Sequence, residues 1–205
     1  MLRVGLTGGY ATGKSFVAAE LSRLGCHVVY ADELGHAALR PGGEAYRPAV
    51  DLFGPGILSP DGVIDRKRLG AIVFADPALL RNLNDIVHPA VFRLEEEMFK
   101  RFAAQDPTGI AVIEAAILVE TGRHLKVDRL IVTECSLETQ IERAMGRDHS
   151  TREQVIARIG RQMPAETKRR YAHYVIDTDR PKVETARAVE DIFRDLRKLA
   201  KGSAE

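Results

Sequence analysis

Five short apolar runs, each apolar on both faces and most of them separated by helical patterns, constrain this chain more than any other feature. They are Leu2 to Thr7, Cys26 to Ala31, Ile110 to Ile113, Leu130 to Thr133 and Tyr174 to Ile176. A strand with two apolar faces has to be covered on both, and strands alternating with helices join through crossovers. The pattern therefore specifies an α/β fold, a doubly wound parallel sheet of about five strands. The chain's 205 residues suffice for one domain with a proper core.

Between the second and third runs, Glu44 to Phe102 holds turn signals at Gly54-Pro55-Gly56 and Asp61-Gly62 and several helical patterns, with no convincing strand. This reads as a helical insertion. The expected division is a core of residues 1–43, 108–142 and 171–200, a helical lobe of 44–107 and a helical segment of 143–170. The last helix turns Val189, Ile192, Phe193, Leu196 and Leu199 to one face as a cover for the sheet. Gly202 to Glu205 reads as a loose tail.

Thirty Lys and Arg against 29 Asp and Glu give a formal charge of +1, which argues against a nucleic-acid or membrane-surface binder. Cys26 and Cys135 fall in or beside apolar runs and read as buried thiols in a reducing compartment. The six histidines lack metal-ligand spacing, and no zinc site is expected. The longest apolar stretch is broken by Glu114, and no signal peptide or membrane span is expected. A cytoplasmic location follows as an expectation.

Gly8-Gly9-Tyr10-Ala11-Thr12-Gly13-Lys14-Ser15 matches G-x-x-x-x-G-K-[ST], and it lies between the first strand and a helix with Val17, Leu21 and Leu24 on one face. Glycines let backbone N–H groups turn inward and the helix N-terminus adds partial positive charge. Lys14 reaches the β and γ phosphates, and the Ser15 hydroxyl suits Mg²⁺. The bland reading is a glycine turn with an accidental Lys-Ser, which the strand–helix context disfavours. No Asn-Lys-x-Asp guanine signature and no long motor-type second half is present, so small-molecule kinases are favoured.

Two acids end predicted strands. Asp32 is placed to accept a hydrogen bond or proton from an incoming hydroxyl, or to cap a helix starting at Glu33. Glu114 is placed to support Mg²⁺, or to pair with an arginine. From Arg143 to Arg170 eight cations (Arg143, Arg147, Arg152, Arg158, Arg161, Lys168, Arg169, Arg170) face three acids (Asp148, Glu153, Glu166). Arginine binds phosphate oxygens in a fork and stays charged, so this segment reads as a lid over the triphosphate, with Arg147 the first choice and Arg143 a further nucleotide contact. A solvated helix face carrying Arg158 and Arg161 is the rival.

With these residues in view, the sequence resembles the dephospho-coenzyme A kinase family from about residue 2 to residue 198. The resemblance rests on Gly5-Leu6-Thr7-Gly8-Gly9 with the phosphate loop, Ala31-Asp32, Asp61-Gly62-Val63-Ile64-Asp65-Arg66 and Leu83-Asn84-Asp85-Ile86-Val87-His88-Pro89. It continues in Ala116-Ile117-Leu118-Val119-Glu120, Val127-Asp128-Arg129, Gln140-Ile141-Glu142-Arg143, Arg147-Asp148, and Arg158-Ile159 through Gln162 to Lys168. It implies ATP as donor, Mg²⁺, and Asp32 facing the ribose 3′-hydroxyl of 3′-dephospho-coenzyme A. It further implies that the helical lobe and the loop around Leu118 hold the acceptor, with Arg66, His88 and Glu120 as contacts, and that 143–170 is the lid. His88-Pro89 is equally readable as a helix start with a packing histidine. The chain departs from the family in lacking the usual Pro and Phe around Leu118. It also carries His173 and Thr178 where Asp and Asn are usual, in a region implied to touch adenine. The remaining alternatives are a nucleoside-monophosphate-type kinase and a non-catalytic nucleotide-binding module. The expected assembly is a monomer or small homo-oligomer.

Overall fold

The computed structural model describes residues 1–202. The sheet-bearing elements are β1 (Leu2–Gly8), α1 (Lys14–Arg23), β2 (His27–Tyr30), β3 (Ile110–Glu114), β4 (Arg129–Glu134), α6 (Leu137–Asp148), α7 (Arg152–Ile159), α8 (Ala165–Arg169), β5 (Tyr174–Asp177) and α9 (Lys182–Gly202). Between β2 and β3 run α2 (Ala31–Ala38), α3 (Tyr46–Phe53), a 3₁₀ turn at Pro55–Ile57, α4 (Arg66–Ala75) and α5 (Pro77–Gln105). The strand order is β2-β3-β1-β4-β5. β1 pairs in parallel with β3 (Leu2 opposite Ile110, Leu6 opposite Glu114) and with β4 (Gly8 opposite Thr133), and β4 pairs in parallel with β5. All five expected strands are present, and the sheet has the expected α/β class.

β1 and β3 are buried nearly from end to end, as two-sided strands have to be. α1 and α9 pack on each other and on β1 and β3. The α9 face buries Thr185, Val189, Leu196 and Ala200. Gly202 closes this helix rather than opening a tail; the rest of the expected tail, residues 203–205, lies outside the described residues.

The chain divides into two compact units, Met1–Val29 with residues 101–205, and Tyr30–Lys100. The second unit has its own apolar cluster, Ala49, Ile57, Ile64, Leu69 and Val73. An isolated antiparallel bridge, Leu58 with Ile64, closes the Asp61-Gly62 turn. Asp65 caps α4 by accepting the N–H groups of Lys67 at 2.9 Å and Arg68 at 3.2 Å.

Three local expectations are corrected. Pro89 is an interior residue of α5; the helix starts at Pro77, where Asp76 accepts the Ala78 N–H at 2.7 Å and the N–H that proline lacks would find no intrahelical partner in any case. Asp32 caps nothing, because α2 begins at Ala31 with Tyr30 as its N-cap residue and no side-chain cap bond. Cys26 is buried but Cys135 only partly so, since the chain leaves the sheet after Glu134 and turns into the Ser136 cap of α6.

Ile131 lies fully buried in β4 between β1 and β5. Ile131→Ala is expected to destabilise the sheet unit by about 2–5 kcal/mol through lost burial and the residual cavity, read from urea unfolding followed by circular dichroism.

Candidate nucleotide phosphate site

The phosphate loop leaves β1 where its backbone is hemmed in. A Cβ on Gly8 would lie 2.5 Å from the Thr133 carbonyl oxygen and 2.3 Å from Thr133 Oγ1, so only glycine passes this point. Gly13 then adopts a left-handed conformation (φ 79°) as the N-cap of α1. That cap position carries no side-chain hydrogen bond, and the first turn of α1 holds no acid. By contrast Asp65 caps α4, Ser136 caps α6 and Thr151 caps α7 with their side chains. An uncapped first turn presents N–H groups and roughly half a positive charge to an anion.

The loop is braced from behind. Thr12 Oγ1 donates to the Gly9 carbonyl at 2.9 Å and meets Thr133 Oγ1 at 2.8 Å. The Thr178 hydroxyl lies 3.0 Å from the Thr12 carbonyl and receives a hydrogen bond from Arg143 Nη1 at 3.0 Å, while Arg143 Nη2 donates to the Thr178 carbonyl at 2.6 Å. Lys14 Nζ curls back onto the carbonyls of Gly8 (3.2 Å) and Gly9 (2.9 Å). The resulting cleft, about 160 Å³, is lined by Ala11 through Phe16, Arg143 and Arg147. Ala11 in this lining has φ 59°, a left-handed conformation that costs a residue with a Cβ on the order of 1 kcal/mol.

The basic segment is neutralised more fully than its sequence suggests. Arg147 grips Asp148 with two bonds, Nε to Oδ1 at 2.7 Å and Nη2 to Oδ2 at 3.0 Å. This pairing, with the Tyr10 hydroxyl second, holds the Asp148 carboxyl down at about 2 and raises the Arg147 guanidinium above its ordinary value. Arg152 pairs with Glu138, and Arg169 with Glu134 at 3.0 Å. Lys168 is no surface lid residue. Its side chain has no exposed area, and Nζ lies 2.9 Å from Glu120 Oε1 and 2.5 Å from the Ala116 carbonyl. Lys168 therefore engages Glu120, which also accepts the Met163 N–H at 3.3 Å. The neighbouring Leu118 is buried, its side chain within reach of any Cβ added at Gly5 and its carbonyl accepting the His124 N–H at 3.0 Å.

Ser15, exposed at the start of α1, lines the cleft. Glu114 ends β3, one strand over from β1 and opposite Leu6. His173 closes the β4–β5 edge, accepting the Leu130 N–H at Nδ1 (3.0 Å) and giving its own N–H to the Leu130 carbonyl (2.9 Å).

In the second unit, Asp32 and Arg66 both act electrostatically on His36, one helical turn after Asp32. Burial first, then Arg66, push this imidazole below its ordinary value while Asp32 opposes. His36 was not foreseen, although its i,i+4 spacing from Asp32 on one helix face was there to find. His88 stacks on Phe92, and burial lowers its affinity for a proton, with Asp85 opposing. Thr178 and Asp148 were likewise invisible as neighbours of the loop, since long-range folding brings them to it.

A parallel sheet whose first strand runs through this loop into a helix N-terminus without a side-chain cap defines a P-loop protein with a site for nucleotide phosphates. A family model described as dephospho-CoA kinase matches residues 2–184. A dephospho-CoA kinase of Geobacter sulfurreducens is 43% identical over 192 residues, 93% of this chain and 96% of the relative. One from Leifsonia xyli subsp. xyli is 40% identical over 96% of this chain and its own full length. A Thermus thermophilus crystal structure superposes with a TM-score of 0.81 at 32% identity, covering 95% of this chain and 97% of that one. The chain belongs to the dephospho-CoA kinase family.

Gly13→Ala is expected to weaken ATP binding at least tenfold, because its Cβ would meet Thr178 at 3.3 Å in a left-handed conformation costing about 1–2 kcal/mol; equilibrium titration with ATP reads this. For His88 the folded state disfavours the proton relative to the ordinary value of 6.5, so the stabilisation is complete above about 6.5 and is lost as pH falls below it. Chemical unfolding of the wild type between pH 7.5 and 5 is expected to show declining stability, and His88→Gln a shallower decline.

Proposed function

We propose that the chain transfers the γ-phosphate of ATP to the ribose 3′-hydroxyl of 3′-dephospho-coenzyme A, giving coenzyme A and ADP, the last step of coenzyme A biosynthesis. The observation that carries this reading is the family match running through nearly the whole chain, with an uncapped phosphate loop at its start. In the reaction the 3′-oxygen attacks the γ-phosphorus, a bond forms there, and the bond to the β–γ bridging oxygen breaks to release ADP. We assign Asp32 to the hydroxyl, as hydrogen-bond acceptor and final holder of its proton.

Gly8, Gly9, Ala11, Thr12 and Gly13 are assigned to the phosphates through their backbone N–H groups, and Tyr10, whose own N–H is held by Gln162 Oε1, completes the loop around them. Lys14 then exchanges its loop carbonyls for β and γ oxygens, a charge-assisted replacement of neutral contacts. Arg147 stabilises the charge that builds on the moving phosphoryl group, and Arg143 holds the nucleotide while tying Thr178 to the loop. The Ser15 hydroxyl and the Glu114 carboxylate are hard oxygen donors of the kind Mg²⁺ takes, and they are the residues that would hold it. The ion, when bound, supplies charge neutralisation on the phosphates. Arg66, His88, Leu118 and Glu120 are assigned to the acceptor, residues 44–107 to its lobe and 143–170 to the lid. No helix among the described residues is long and apolar enough to cross a membrane, and we place the enzyme in the cytoplasm.

Coupled ADP release should be fast with 3′-dephospho-coenzyme A and slow with adenosine, AMP and shikimate. A preference for AMP would favour a nucleoside-monophosphate kinase, and ATP binding without acceptor-stimulated turnover a binding module. Lys14→Ala and Asp32→Asn are each expected to lower kcat by roughly 10²-fold or more. Unchanged kcat in Asp32→Asn removes that residue from the chemistry.

A further inference from the structure

Tyr10 occupies a loop position where the motif asks nothing of the side chain, yet it is only 7% exposed and touches three separate parts of the basic segment. Its ring packs against Ile141 and Ala144 of α6 and Val155 of α7. Its hydroxyl donates to Asp148 Oδ2, the oxygen that also receives Arg147 Nη2. Arg158 lays its guanidinium over the ring at 4.2 Å and donates from Nη1 to the same hydroxyl at 3.2 Å, and the Arg147 guanidinium lies 5.2 Å from the ring centroid. The Tyr10 N–H is taken by Gln162 Oε1 at 2.7 Å.

A tyrosine serving only as filler would need no partners for its hydroxyl, since phenylalanine fills the same space. We propose that Tyr10 is a positioning residue for phosphoryl transfer. Its hydroxyl and ring clamp the Asp148–Arg147 pair and Arg158 onto the phosphate loop, so that Arg147 meets the cleft in a set orientation. The clamp uses Nε and Nη2 of Arg147 on Asp148 and leaves the Nη1 side for a phosphate oxygen. The Asp148 carboxylate is shared between two cations and a phenol, which offsets the repulsion between Arg147 and Arg158 beside one aromatic ring. The inference rests on the proposed role of Arg147 in stabilising the transferring phosphate.

The test is steady-state kinetics with ATP and 3′-dephospho-coenzyme A on Tyr10→Phe, Tyr10→Leu, Arg147→Ala and the Tyr10→Phe/Arg147→Ala double variant, with thermal midpoints alongside. Tyr10→Phe keeps the packing and is expected to lower kcat about fivefold to tenfold with KM for ATP changed less than about twofold. Tyr10→Leu should lose more, and the double variant no more than Arg147→Ala alone, because the hydroxyl acts through that arginine. Wild-type kcat in Tyr10→Phe beside an impaired Arg147→Ala overturns the clamp while sparing the role of Arg147. Losses that multiply in the double variant also overturn it. An unimpaired Arg147→Ala overturns both.

Discussion

Everything at this site depends on holding a strand-to-helix turn open for an anion when no anion is there to hold it. The turn has to aim backbone N–H groups into a cleft and bring Lys14 close to them, and both arrangements are repulsive in the absence of phosphate. The structure counters this from behind the loop. The Thr12 and Thr133 hydroxyls join beneath the loop, the Thr178 hydroxyl holds the Thr12 carbonyl, Arg143 clamps Thr178, and the Lys14 ammonium rests on two loop carbonyls. A loop braced in this way loses little freedom when it binds, which is where much of the cost of binding otherwise falls.

The same economy governs the cations around the loop. A run of arginines would repel one another and bind any polyanion, but several of those in this segment are paired with an acid. Arg147 has Asp148, Arg152 has Glu138 and Arg169 has Glu134. Pairing through one edge of a guanidinium keeps the group fixed while leaving its other edge for a phosphate, which a lysine cannot do. Lys168 shows the other use of charge. Fully buried, it is tolerable only because Glu120 and the Ala116 carbonyl surround its ammonium, and it joins the α8 segment to the loop after β3.

The strands, the phosphate loop, the family and hence the class of chemistry were legible in the residue order because each rests on local or periodic signals. Two-sided apolar runs alternating with helical patterns fit a parallel sheet, and the phosphate-loop motif is complete within eight residues, although what excludes a side chain at Gly8 is Thr133, far along the chain. What stayed hidden was pairing at long range: whether Lys168 faced solvent or Glu120, whether Leu118 was exposed or buried, and which residue Thr178 would touch. Helix ends also misled, because Pro89 and Asp32 have the right types for a start signal while the real starts lie at Pro77 and Ala31.

The sequence by itself determined the sheet, the phosphate loop and the family, since spacing along the chain is enough to encode a period, a tight turn and a motif. Only the tertiary structure decided which charges are spent on one another and that Tyr10, a free choice in the motif, binds the loop to Asp148 and two arginines. Those contacts join residues more than 130 positions apart, and no local pattern records a distance that exists only after the chain has folded.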